Sequence, residues 1–160
     1  MHTYQRRWPD NASAWTSPSF DNFCFNNALD VARYSEFEPL VPWRTWPEVW
    51  HLDGDGAWRC GSRGSSIDSV RTFALDPTDM LRCRDVRLGQ SCPGRWLVIE
   101  PRHPWLGDRY RPREDDAEAF LTLRKGLALH GVSLLDVLVF DQEFHWWSLH
   151  EMTSGTTKWR

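Results

Sequence analysis

Trp96-Leu97-Val98-Ile99 leads into Glu100-Pro101-Arg102-His103-Pro104, then an arginine-rich stretch to Arg113, then Glu114-Asp115-Asp116. The apolar run of four reads as a buried central strand. The polar stretch Arg102 to Arg113 reads as a loop. The three acids open a helix, where negative charge complements the helix dipole. That helix carries Phe120, Leu121, Leu127 and Ala128 and ends at Gly131, and Val132 to Phe140 follows as a second buried strand.

Toward the C-terminus, Asp141-Gln142 is a turn and Phe144 to Leu149 a last strand. Toward the N-terminus, Cys92-Pro93-Gly94 is a turn. Asp76-Pro77 opens a helix that runs to about Leu88, with proline at its first position. Ile67 to Leu75 has strand character. Val49 to Leu52 and Ala57 to Cys60 form a hairpin around Asp53-Gly54-Asp55-Gly56, since Asp-Gly supplies the positive φ of tight turns. A calcium loop there fails, because Ala57 stands at the third ligand position and no Glu follows at the right distance. Pro39, Pro42 and Pro47 punctuate an extended connector, and Phe20 to about Phe37 has helical apolar spacing. Strands alternating with helices around a central sheet make an α/β layered domain.

Composition narrows the function. The formal charge is −3, which gives no bulk attraction for nucleic acid. Arg109, Arg111 and Arg113 could contact phosphate, but the acidic run beside them partly neutralises the loop. No apolar run approaches a membrane span. Cys24, Cys60, Cys83 and Cys92 show no CxxC spacing and no signal peptide is read, so four free thiols in a reducing cytoplasm are expected. GxSxG, P-loop and GxGxxG motifs are absent from the sequence. Tryptophan occurs eleven times. His145, Trp146 and Trp147 on the last strand are the candidate contact surface for a protein partner or a second copy, because Trp anchors interfaces. An aromatic edge strand needs a cover, and the N-terminal arm through Trp8 or Trp15 is a third candidate for it.

Five segments together resemble the RadC branch of the JAB/MPN metallo-isopeptidase family. They are Val49 to Gly56, Gly64 to Val70, Asp76-Pro77, Leu97-Val98-Ile99 with His103-Pro104, and Gly131 to Asp136. The resemblance implies a single three-layer, deaminase-like α/β domain with a central mixed sheet flanked by helices. It divides the chain into an arm (1–19), a helix and Pro-rich connector (20–45), the JAB/RadC-like domain (46–152) and a tail (153–160).

In that family zinc is held by His-x-His-Pro and a helical Asp, a Ser assists the oxyanion, and a Glu activates the zinc-bound water. Here Pro101 fills the first His slot, and proline cannot ligate zinc. The resemblance puts the second His at His103, the Asp at Asp116 with Asp115 as alternative, and Arg113 in the Ser slot. The Glu slot falls near Thr45, with Glu48 the candidate in a shifted register. A binding energy of about 10–16 kcal/mol for structural zinc does not survive the loss of ligands at several kcal/mol each. The chain is therefore expected to be a catalytically inactive protein-binding or regulatory module without a cofactor. The competing expectation is a zinc-dependent metallo-isopeptidase whose site is rebuilt with His51, Glu100 or a cysteine. A third is a DNA-associated accessory protein.

Overall fold

The computed structural model describes residues 2–3, 24–34, 47–64, 68–82, 94–102, 111–141 and 145–159. In chain order these form β1 (His2–Thr3), α1 (Ala28–Tyr34), β2 (Glu48–Leu52), β3 (Trp58–Arg63), α2 (Val70–Leu75) and α3 (Pro77–Arg82). They continue with β4 (Arg95–Pro101), α4 (Glu114–Ala128), β5 (Ser133–Phe140), β6 (His145–Ser148) and α5 (Leu149–Ser154). The strands make one mixed sheet in the order β1-β6-β5-β4-β2-β3. β4 and β5 run parallel, and the other pairs are antiparallel. A parallel neighbour needs a crossover, and α4 supplies it. The two apolar runs expected as central strands thus lie side by side in mid-sheet.

Strand alternation splits the core in two. Trp50, Leu52, Leu97 and Ile99 pack with Phe25, Ala28, Val31 and Ala32 at α1. Val49, Trp96 and Val98 pack with Val70, Phe73, Met80, Phe120 and Leu123 of α2, α3 and α4. Helices therefore cover both faces. A register shift against β4 puts Asp136 of β5 opposite Leu97, just past Leu135. The bulge turns Asp136 onto the α1 face, because Val137 already belongs to the other cluster.

The hairpin turn forms as its sequence dictates. Asp53 Oδ1 accepts from the amides of Asp55 (2.9 Å) and Ala57 (3.0 Å). Gly56 has φ 87°, and a Cβ there would lie 2.3 Å from the Phe25 carbonyl oxygen, so glycine is required twice over. Pro77 does open α3.

Three local expectations are corrected. The stretch ending at Leu75 is helical over Val70–Leu75 rather than extended, while Ile67 lies outside the described residues. Ser69 caps that helix by accepting from Thr72 N (3.3 Å), and Val70 N donates to Glu100 Oε2 (3.1 Å). A cap and a carboxylate at the first turn outweigh local β propensity. Of the helix expected over Phe20 to about Phe37, residues 24–27 are not helical and α1 runs Ala28–Tyr34, with Asn27 Oδ1 accepting from Asp30 N (2.9 Å), while residues 20–23 and 35–37 lie outside the described residues. The last strand stops at Ser148, whose hydroxyl accepts from Glu151 N (3.0 Å) and so starts α5, a helix the sequence did not announce.

The edge at β6 has a cover. His2 pairs with Trp146 and Thr3 with His145, so the N-terminus itself adds the outer strand. Trp8 and Trp15 lie outside the described residues. Among the described residues, no helix is long and apolar enough to cross a membrane.

Candidate functional site

The C-terminal end of β4 is where the resemblance places a metal. Alternation puts Glu100 and Arg102 on the face of α2 and α4, with Pro101 opposite. Arg102 N donates to Phe140 O (2.7 Å), which carries the strand pairing one residue further and fixes the side chain. Glu100, Arg102 and Asp116 are all buried, at 3%, 5% and 0% exposure. Arg102 Nε donates to Glu100 Oε1 (3.0 Å). Its two terminal nitrogens donate to Asp116, Nη2 to Oδ1 (2.8 Å) and Nη1 to Oδ2 (3.2 Å). Arg71 Nε adds a bond to Oδ1 (2.9 Å), and Arg113 N caps Oδ2 (2.8 Å).

Such burial is tolerable only because each charge meets its opposite. Burial alone would raise the Asp116 carboxyl; the bonds and charge of Arg102, the Arg113 amide and Arg71 overcome it and hold Asp116 below the ordinary aspartate range. Burial likewise disfavours the Arg102 guanidinium, but Glu100 and Asp116 more than offset it, so its proton is held harder than in ordinary arginine.

This arrangement does not fit zinc. A carboxylate offers about four lone-pair directions, and Asp116 already receives four protein donors. Asp116 as a metal ligand is therefore corrected to an arginine-paired helix-capping carboxylate. The alternative, Asp115, is exposed and pairs with Arg71 Nη2 (2.9 Å). Glu48 is corrected as a water-activating base for this site. It alternates with Val49, sits on the α1 face, and accepts from Trp50 Nε1 (3.3 Å). Asp116 lies on the opposite face. Glu100 is committed to Arg102 and Val70 N. His51 stacks edge-on against Trp96 at 4.7 Å. It pairs across from Trp96, four residues before Glu100, so strand rise puts it roughly 13 Å away. His103, Thr45, Cys83 and Cys92 lie outside the described residues, as does Arg109. Among the described residues, no three His, Cys, Asp or Glu side chains converge on a point that could hold a metal. Arg111 and Arg113 are exposed, beside the exposed Glu114 and Asp115.

On β6 the aromatic set divides. Trp146 is 1% exposed and belongs to the α1-side core, so it is corrected from contact residue to core residue. Trp147 is half-buried and packs against the other cluster, and His145 lies beside it with ring centroids 6.3 Å apart. Asp141 fixes His145 from both ends, accepting from its amide (2.9 Å) and meeting Nδ1 (2.8 Å).

A second polar centre was not read from the sequence. Asp136 is fully buried and accepts from Val137 N (2.8 Å), His150 N (2.9 Å), Ser148 Oγ (2.5 Å) and Trp159 Nε1 (3.0 Å). The available signal was one acid inside the apolar run Leu134 to Phe140, because a buried acid demands partners.

No protein-family model matches this chain, and no curated protein matches it.

Proposed function

We propose that this chain is a non-catalytic α/β module that binds a protein partner or a second copy of itself. It keeps the layered scaffold of a JAB-type hydrolase and puts an arginine where the metal would be. The observation that carries this reading is the saturation of Asp116 by Arg102, Arg71 and the Arg113 amide. A guanidinium supplies the positive charge a buried carboxylate needs, but it has no open coordination position to ionise water. The site is thereby stabilising rather than reactive.

The contact surface on this reading is the face of β6 that carries His145 and Trp147. Both are partly exposed, and His145 is held in place by Asp141, so little rotamer entropy is lost on docking. Trp147→Ala is expected to weaken partner capture or self-association at least tenfold, in the range of a Trp hot spot. Circular dichroism on the same sample should show the fold retained. Unchanged association in a folded Trp147→Ala protein moves the contact surface elsewhere.

A further inference from the structure

α4 turns one stripe to the core and the opposite one to solvent. Asp116, Phe120, Leu123 and Leu127 are buried. Glu114, Glu118, Leu121 and Lys125 are exposed, and their spacing of four, three and four residues puts them on one outward stripe. α2 and α3 flank the helix on one side, through Arg71 on Asp115 (2.9 Å) and Pro77 against Gly126. α5 flanks it on the other, where Arg124 Nη1 lies 3.5 Å from His150 Nδ1. This helical layer carries four of the five large hydrophobic side chains that stand exposed among the described residues. They are Leu75 at the end of α2, Leu121 on α4, Leu129 at its C-cap and Met152 on α5. Single exposed leucines are ordinary, but several gathered on one layer are the mark of a docking face.

Charge decides what this face fits. Glu114, Asp115 and Glu118 make the first half of α4 acidic, and Lys125 makes its last turn basic. No cation stands three or four residues from Glu118, and no acid three or four from Lys125, so neither is neutralised along its own helix. Leu121 and Thr122 lie midway between them, with each charge about 5 Å from the midpoint along the axis. Turning the helix end for end therefore lays acid on base and base on acid. That is the self-complementarity a two-fold interface requires, whereas a parallel copy would bring like charges together.

We propose that the outer face of α4 is a dimer interface for a second copy of this chain, packed antiparallel about a two-fold axis at Leu121–Thr122. The two Leu121 side chains meet near the axis, and each Glu118 faces the Lys125 of the other copy. Leu75, Leu129 and Met152 flank this centre and extend the apolar contact. Exposed ion pairs add little strength; here they fix orientation and register. The assignment gives self-association to α4 and leaves the β6 face to a different protein.

The test is sedimentation equilibrium of the full chain at low salt, where exposed charges are least screened. The wild-type chain should show a monomer–dimer equilibrium in the micromolar range. Glu118→Lys and Lys125→Glu should each weaken the dimer about tenfold, because both attractive pairs of the symmetric dimer become repulsive. An equimolar mixture of these two variants should dimerise again, since every facing pair is then opposite in charge. Leu121→Asp should be monomeric, and Trp147→Ala should keep the dimer. All but Trp147 are exposed on the helix surface, and circular dichroism should show each variant folded. A wild-type chain that stays monomeric overturns the proposal and leaves partner capture at β6 untouched. So does a dimer that both charge reversals spare and Trp147→Ala abolishes, which moves self-association to β6. A mixture that associates no better than the single variants also overturns it, because the charges then do not meet across the two copies.

Discussion

Arg102→Ala should destabilise the protein by about 3–5 kcal/mol, enough to unfold a large share of a domain whose total stability is about 5–15 kcal/mol. The loss is not the worth of the ion pair as such. Removing the guanidinium leaves Glu100 and Asp116, both nearly inaccessible to water, with the part-exposed Arg71 and the Arg113 amide on Asp116 and the uncharged Val70 amide on Glu100. Glu100→Gln and Asp116→Asn added to Arg102→Ala should recover much of it, because the orphaned charges are then gone. Denaturant midpoints of the single and triple variants check this. Acid should erode the same network. Asp116 has its carboxyl held below the ordinary value of 3.8, so its contribution is complete above about 4 and is lost as pH falls below it. Asp136 acts with the opposite sign, losing stability as pH rises through about 6.

Val98→Asp should abolish the native fold. Val98 is 0% exposed, pairs with Val49 on one side and Val137 on the other, and packs under α4. A carboxylate there meets no donor and no cation. Its burial costs several kcal/mol, on top of the lost methyl contacts. The expected outcome is insoluble or molten protein, without the near-ultraviolet dichroism of packed tryptophans. A soluble, cooperatively melting Val98→Asp protein would show that β4 is not a central strand.

The middle of the sheet was legible because its signal is local. Trp96 to Ile99 and, Ser133 and Asp136 apart, Val132 to Phe140 are apolar at successive positions, as suits short strands covered on both sides. Asp53 to Gly56 was legible because glycine at φ 87° leaves few alternatives. α2 was misread because what fixes it is remote. Val70 N depends on Glu100, thirty residues later in the chain. α5 was missed for a similar reason. Ser148 is both the last strand residue and a helix cap, and nothing in His145-Trp146-Trp147 marks the switch.

The candidate site was half legible. The resemblance drew attention to Asp116, but Arg102 was passed over as one loop arginine among several. Its role needs the strand phase that points it at α4. Trp146 and Trp147 have equal claims to the surface in sequence, and only the direction of the pleat separates a buried ring from a half-exposed one. Asp136 and Trp159 lie 23 residues apart, and their bond depends on a bulge that no local pattern encodes.

Zinc stoichiometry tests the central claim most directly. Protein produced in zinc-supplemented medium and purified without chelator should carry well under one zinc per chain by elemental analysis. Its melting temperature should not respond to added zinc or to chelator, because Asp116 already holds its cations in Arg102 and Arg71. One tightly held zinc per chain, lost on Asp116→Asn, would contradict the account.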